Sequence, residues 1–210
     1  MNKDSLNKLP TGFVYVSSVI PNAVIDARYY SENNFVGKRI DGYNAPVVVI
    51  SELAAVSLKK ASDDFNSLGY KIKIFDAYRP QRAVNHFVKW AKDVSDTKTK
   101  SAFYPSVDKS KLFELEYINE KSSHSRGSTV DLSLVSMKSG KEIDMGSPFD
   151  FFGEISHHGT PLITIRQTAN RNILRDIMLL NGFWLYLNEW WHYTLINEPY
   201  PNTYFDFPIA

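Results

Sequence analysis

The feature that most constrains the fold is a mixture of helical and strand-like periodicity that lacks a regular strand–helix–strand alternation. Apolar residues recur at helical spacing in three segments, 54–68, 80–91 and 173–178. Short strand-like stretches lie between and after them, at 70–75, 129–135 and 183–195. Strands and helices mixed in this way predict an α+β fold.

The boundaries of these elements have their own sequence signals. Gly69 follows the first helix as a C-terminal cap, Pro80 opens the second, and the third stops at Asn181-Gly182. We interpret 183–195, which is aromatic and β-prone, as one core strand, and 138–141 as a turn into a further strand. The stretch 95–122 is loop-rich, with one helical turn at 111–117.

Length and charge narrow the class of protein. A chain of 210 residues predicts a single domain, 1–210, and a net charge of +1 without a basic stripe argues against nucleic-acid binding. No apolar run is long enough to span a bilayer, and the start has no signal-peptide core. We therefore expect a cytoplasmic protein without membrane contact, or a periplasmic one if a signal peptide has been removed. The sequence leaves open whether the protein forms a homo-oligomer.

The absence of cysteine restricts any zinc site to histidine and carboxylate ligands. His124 precedes Asp131 by seven residues, with Gly127 between them, and His192 comes from a distant segment. Two histidines and one aspartate would leave a tetrahedral zinc ion with an open position for water, which is the catalytic pattern. We expect one Zn²⁺ per chain.

Two further residues are candidates for a role in catalysis. Glu189 lies three residues before His192 and is a candidate general base, but on a regular strand the two would face opposite sides. The prediction therefore requires a bulge or kink at Trp190-Trp191. Arg79 lies between a strand and a helix, where it could donate to an oxyanion, and Asp76 could orient its guanidinium.

Plainer interpretations exist for the same residues. His124 and Asp131 could be structural, Glu189 a solvated edge residue, and Arg79 one half of a salt bridge at a helix start. We expect structural roles for the remaining histidines and keep them as reserve ligands: His86, His157 and His158. Serine catalysis and phosphate binding lack their usual motifs.

Several longer strings indicate a family. The chain resembles the D-alanyl-D-alanine dipeptidases of the VanX type, within the wider group of zinc D,D-peptidases, from about residue 26 to 208. The strings that carry the resemblance are FDAYRPQRAVN, SSHSRGSTVDLSL, MGSPFDF, SHH, EWWHY and EPYPN-YFDFP. The resemblance implies the hedgehog/D,D-peptidase-like zinc peptidase fold, in which helices flank a small mixed or antiparallel central sheet.

The resemblance also implies roles for individual residues. It implies zinc on His124, Asp131 and His192, Glu189 as catalytic base, and Arg79 stabilising the transition state together with zinc. It further implies a small dipeptide substrate, D-alanyl-D-alanine, whose free amino group lies near Asp150. The other positions that match the lining of the family's pocket are Ser122, Tyr29, Tyr43 and Trp190.

Three rival functions remain. The nearest is a D,D-carboxypeptidase or endopeptidase that uses the same metal site on longer peptidoglycan stems, and Asp150 favours the dipeptidase. The second is a non-enzymatic binding module of the hedgehog kind, against which Glu189 and Arg79 argue jointly. The third is a chain whose histidines and aspartates are merely structural. A role in peptidoglycan precursor metabolism or in glycopeptide resistance follows from the resemblance alone.

Overall fold

A computed structural model describes residues 9–210, so the first eight residues of the predicted domain lie outside the described part. Within 9–210 there are five α-helices: α1 (Val16–Val19), α2 (Glu52–Ser67), α3 (Gln81–Lys92), α4 (Lys100–Phe103) and α5 (Ile165–Leu180). The same range contains seven strands: β1 (Phe13–Tyr15), β2 (Val24–Ile25), β3 (Val49–Ser51), β4 (Tyr70–Asp76), β5 (Thr129–Ser136), β6 (Phe183–Tyr186) and β7 (Glu189–Leu195). None of the described helices has the length and apolar character needed to cross a membrane.

The strands form one central sheet and one small ribbon. The central sheet has the order β2-β4-β5-β7-β6, and β1 pairs with β3 in a separate two-stranded ribbon. Of the strand pairs described in the central sheet, only β2–β4 is parallel, so this sheet is mixed but mainly antiparallel. Helices α2 and α5 pack against it and against each other. The predicted α+β class is therefore confirmed.

The two long helices begin at side-chain caps. Ser51 accepts a hydrogen bond from the backbone N–H of Ala54 at the start of α2. Thr164 and Gln167 form a capping box at the start of α5, which therefore begins well before the apolar run at 173–178 that predicted it. Both helices bury their apolar faces against the sheet, and α2 contributes Leu58, Ala61 and Phe65 to the core.

The sequence interpretation of 183–195 as one strand is wrong. The segment is a hairpin, in which β6 and β7 are joined at 187–188. This turn contains Leu187 and Asn188 and lacks the glycine that usually marks a two-residue hairpin, so the sequence pattern gave little signal. The strand expected after 138–141 is reduced to a single bridge between Val135 and Glu142.

The bulge that the site required is present in β7. Leu185 pairs with Tyr193, whereas the next residue of β6, Tyr186, pairs with Glu189. The intervening residues 190–192 of β7 therefore have no partner in β6 and form a bulge. This irregularity allows Glu189 and His192 to face the same cavity.

Candidate metal centre and active-site cavity

Three charged or ligating residues lie in a row across the middle of the central sheet. The register places Asp131 of β5 directly opposite His192 of β7 on one side and opposite Asp76 of β4 on the other. Directly opposed residues of antiparallel strands have neighbouring side chains. The sheet therefore brings these side chains together although they are far apart in the chain.

The fourth residue, His124, is supplied by a short 3-10 helix, Ser123–Arg126. The Oγ of Ser122 accepts a hydrogen bond from the backbone N–H of His124 at the start of this helix. Gly127 ends it in a left-handed conformation, with φ of 85°. A Cβ at this position would lie 2.4 Å from the Phe13 ring, so the close approach as well as the backbone angle favours glycine.

The ligating atoms of the three predicted metal ligands converge. The Nε2 of His124 lies 3.2 Å from the Nδ1 of His192 and 3.3 Å from one carboxylate oxygen of Asp131. The other oxygen of Asp131 lies 3.2 Å from the Nδ1 of His192. A tetrahedral ion with bonds of about 2.0–2.1 Å separates its ligands by about 3.3 Å. These three residues could therefore hold one metal ion.

Further observations fit a metal at this place. His124 and Asp131 are buried, and one oxygen of Asp131 has no hydrogen-bond donor among the described residues. The second nitrogen of each imidazole has its own neighbour, the carbonyl oxygen of Ala77 at 2.7 Å for His124 and the hydroxyl of Ser123 at 3.3 Å for His192. Such outer contacts orient an imidazole towards its ion. Two neutral imidazoles and a carboxylate are a typical zinc donor set.

The protonation states also suit metal binding. Burial lowers the pKa of His124 to about 4, and the positive charge of Arg79 acts in the same direction, so its imidazole is neutral at pH 7. Burial opposes ionisation of Asp131, but its contacts with both histidines hold its pKa below the ordinary range. Metal ligands must be deprotonated, and these groups meet that condition without further cost.

Glu189 lies beside the ligand cluster. Its carboxylate is 3.5 Å from the Nδ1 of His192. Burial raises its pKa to about 7, while the proximity of His192 opposes this shift and that of Asp131 adds to it. A carboxyl group with a pKa near the working pH can both accept and donate a proton, which is what a general base and acid requires.

Arg79 is fixed by carboxylates and aromatic rings. Its Nε donates to Asp76 at 2.8 Å and one terminal nitrogen donates to Asp131 at 3.3 Å. Its guanidinium carbon lies 4.9 Å from the centroid of the Tyr29 ring. Tyr43 donates its hydroxyl to the other oxygen of Asp76 at 2.8 Å, so it acts on Arg79 through this carboxylate. These contacts orient the guanidinium and leave further N–H donors for a substrate.

Asp150 enters the cavity from a loop between β5 and α5. The hydroxyl of Tyr29 donates to its carboxylate, at 3.0 Å from one oxygen and 3.2 Å from the other. Burial raises the pKa of Asp150 well above its ordinary range, and the negative charges of Asp131 and Glu189 add to this effect. Its ionised form therefore needs a nearby cation. Asp150 also has a left-handed backbone, with φ of 61°.

A cavity of about 300 Å³ contains most of the predicted site. Eight of the predicted residues line it: Tyr29, Arg79, Ser122, His124, Asp131, Asp150, Glu189 and His192. Three do not. Tyr43 and Asp76 lie behind Arg79, and Trp190 turns to the opposite side of β7, where its Nε1 donates to the hydroxyl of Ser147. The neighbouring Trp191 lines the cavity instead, because alternate residues of a strand face opposite sides.

Part of the cavity wall was not identified from the sequence. The segment 116–119 and Tyr186 line the cavity, although 95–122 showed no periodic pattern. Glu116, with φ of 60°, is the other non-glycine residue of the described chain with a left-handed backbone. Two of the histidines outside the ligand cluster have polar neighbours, since His86 accepts from the backbone of Asp41 and His157 contacts the hydroxyl of Tyr117.

A pair of imidazoles and a carboxylate, with a carboxyl group and a guanidinium in the same cavity, is typical of a mononuclear metallohydrolase. Comparison with known proteins agrees. The family described as D-ala-D-ala dipeptidase, Peptidase_M15, matches residues 10–210. The chain belongs to this family and is an enzyme, a metallopeptidase.

Two curated relatives support the same assignment. A D-alanyl-D-alanine dipeptidase of Enterococcus faecium is 43% identical over 198 residues, which cover 94% of this chain and 98% of the relative. One from Enterococcus faecalis is 40% identical over 202 residues, covering 96% of this chain and 100% of the relative. Among solved structures, a vancomycin resistance D,D-pentapeptidase VanY mutant in complex with Zn(II) matches with a TM-score of 0.45 at 14% identity, covering 75% of this chain and 78% of that chain.

Proposed function

We propose that this enzyme hydrolyses D-alanyl-D-alanine to two molecules of D-alanine, in a reaction that depends on one zinc ion. The family membership and the names of the relatives support the substrate. The observation that carries the proposal is the convergence of His124, Asp131 and His192 beside Glu189. A cavity of about 300 Å³ is at the small end of the range for ligand sites, which suits a dipeptide.

His124, Asp131 and His192 would hold the zinc ion. When bound, zinc would supply Lewis-acid chemistry, by activating a water molecule and by polarising the carbonyl of the scissile peptide. The remaining chemistry falls to the side chains around it.

Glu189 accepts the proton of the attacking water and later returns it to the leaving amine. Its burial keeps the carboxyl group basic enough for the first step and acidic enough for the second. Arg79 donates hydrogen bonds to the oxygen that gains negative charge, and Asp76 holds the guanidinium in place at 2.8 Å. A donor that is already oriented needs no reorganisation during the reaction.

Asp150 selects the length of the substrate. Its buried carboxylate would pair with the free ammonium group of a dipeptide, with the hydroxyl of Tyr29 as a further partner. A substrate whose amino end is acylated brings no positive charge to this place and leaves Asp150 unpaired. Leaving a buried charge unpaired costs about 3–5 kcal/mol, which corresponds to more than about a hundred-fold in kcat/KM.

The decisive experiment measures release of D-alanine from D-alanyl-D-alanine and from its N-acetyl derivative, with and without a chelator. We expect turnover of the free dipeptide alone, loss of activity with the chelator, and recovery when Zn²⁺ is added. Preference for the acetylated substrate would indicate a D,D-carboxypeptidase or endopeptidase. Stoichiometric zinc without turnover of either substrate would favour a binding module.

Matched variants separate the metal from the base. Glu189→Gln should retain zinc and lose about a hundred-fold or more in kcat, because it removes only the proton acceptor. His124→Asn should lose zinc as well, whereas the control His157→Asn, outside the ligand cluster, should lose neither. Wild-type turnover by Glu189→Gln would show that the assigned base is wrong.

The cytoplasmic location expected from the sequence remains part of this proposal. Cell fractionation followed by the dipeptidase assay tests it directly. The oligomeric state also remains a prediction to be tested, by light scattering of the purified protein.

A further inference from the structure

The loop that carries Asp150 has little regular structure of its own. Between β5 and α5 it contains one short 3-10 helix, Glu154–Ser156. Asp150 itself is held at φ of 61°, in the left-handed region that residues with a side chain seldom adopt. Such a conformation persists only where the surroundings determine it. Something outside the loop must therefore hold Asp150 in place.

Arg171 of α5 supplies this restraint. Its side chain is buried, and its Nε donates to the carbonyl oxygen of Met145 at 2.6 Å. Its two terminal nitrogens donate to the carbonyl oxygens of His157 at 3.0 Å and of Ile155 at 2.8 Å. One guanidinium thus binds the loop on both sides of Asp150.

A pair of serines extends this restraint to the active-site strand. A terminal nitrogen of Arg171 reaches the hydroxyl of Ser147 at 3.4 Å, and the same hydroxyl accepts from Trp190 of β7 at 2.9 Å. Ser147 also contacts the hydroxyl of Ser156 at 2.9 Å, and Ser156 donates to the carbonyl oxygen of Phe151 at 2.6 Å. The carbonyl group of Phe151, the residue that follows Asp150, is therefore held by this network.

The charge of Arg171 also indicates a specific role. Burial lowers its pKa to about 10, and its hydrogen bonds go to carbonyl and hydroxyl oxygens. A buried guanidinium is expensive to desolvate, and here its planar, forked donors offset that cost by reaching several carbonyl oxygens at once. A lysine has the charge but cannot reach three carbonyl oxygens in fixed directions.

We propose that Arg171 is a positioning residue for substrate recognition, which holds Asp150 where it meets the substrate's ammonium group and links the loop to β7 through Ser147 and Trp190. This inference rests on the proposed function of Asp150. It assigns to a side chain of α5, outside the cavity lining, control over discrimination between free and acylated amino ends.

The test compares Arg171→Lys with Arg175→Lys, a control one helical turn away whose partner is Asp176. The ratio of kcat/KM for D-alanyl-D-alanine to that for its des-amino analogue should fall at least about ten-fold in Arg171→Lys, mainly through KM. It should stay at the wild-type value in Arg175→Lys. A purely structural role would lower both rates together and leave the ratio unchanged, which would overturn the proposal.

A second measurement does not depend on turnover. In a Glu189→Gln background, calorimetry should show weaker binding of D-alanyl-D-alanine when Arg171→Lys is added, and unchanged zinc content. Ser156→Ala provides a milder variant should Arg171→Lys fail to fold, and it should lower the same ratio by a few fold. An unchanged ratio in a folded Ser156→Ala protein would count against the network.

Hydrogen exchange separates failure of this inference from failure of the proposed function. If the wild-type enzyme neither binds nor cleaves the dipeptide, the proposed function is wrong, whatever Arg171 does. Arg171→Lys should still increase exchange of the backbone amides of 146–157 above that of Arg175→Lys. Equal exchange in the two variants would show that Arg171 does not restrain the loop.

Discussion

Substitution of Gly127 by alanine tests whether the local backbone sets the position of His124. The amide of Gly127 donates to the carbonyl oxygen of His124, and its φ of 85° ends the 3-10 helix that carries this proposed ligand. An added Cβ would lie 2.4 Å from the ring of Phe13. That ring is enclosed by other aromatic side chains and cannot easily move: Tyr78, Tyr200, Phe205 and Phe207.

The expected cost has two parts. A left-handed alanine costs about 1–2 kcal/mol, and overpacking against a fixed ring adds about 1–3 kcal/mol. Gly127→Ala should therefore lower the free energy of unfolding by about 2–5 kcal/mol, or the Tm by about 4–20 °C for a chain of this size. Gly159→Ala is the matched control, because Gly159 has φ of 74° and a Cβ there would meet no described atom within 4 Å, so that only the first part applies.

Urea unfolding of the chelator-treated protein measures this difference without a contribution from the metal. Combining Gly127→Ala with Phe13→Leu should recover about 1–2 kcal/mol relative to the sum of the single changes, because the two residues share one contact. Zinc content should fall in Gly127→Ala and not in Gly159→Ala. If the two glycine variants unfold within about 0.5 kcal/mol of each other, the steric reasoning is refuted.

Three further outcomes follow from the structure. Burial lowers the pKa of His158 to about 4, so the folded protein favours its neutral form. The resulting contribution to the free energy of unfolding is up to about 3 kcal/mol. It is complete above pH 6.5 and is lost as the pH falls towards 4. Urea titrations across this range should show a smaller slope for His158→Gln. Tyr29→Phe removes the donor to Asp150 and should lower kcat/KM for the free dipeptide about ten-fold in steady-state assays. Lys59→Ala breaks an exposed pair with Asp63 and should change stability by less than about 0.5 kcal/mol in thermal unfolding.

The proposed metal ligands, which the structure brings together, could be picked out from the sequence because their chemistry is distinctive. Without cysteine, the histidines near carboxylates were few, and the spacing of Glu189 and His192 even required the bulge that β7 contains. Asp150 was different, since an aspartate in a loop carries no pattern of its own. It was identified through the family resemblance alone.

What the sequence did not reveal depends on side-chain direction and on loop packing. Trp190 and Trp191 are chemically equivalent, and only the side of the bulged strand on which each lies decides which one meets the cavity. Tyr117 belongs to an irregular segment, where no periodicity predicts orientation. The contacts of Arg171 could not be predicted either. They go to backbone carbonyl oxygens, and the sequence pattern does not indicate where those oxygens lie.

Because strand pairing brings Asp131 and His192 together, the proposed metal site depends on completion of the central sheet. These residues meet only through the register of β5 with β7, and β7 is the last strand of the described chain. A slip of one residue would turn the imidazole to the other face of the sheet. Under the proposed function, a chain that has not yet formed its final hairpin therefore lacks His192 and Glu189 together, and it should not turn over substrate before the sheet is complete.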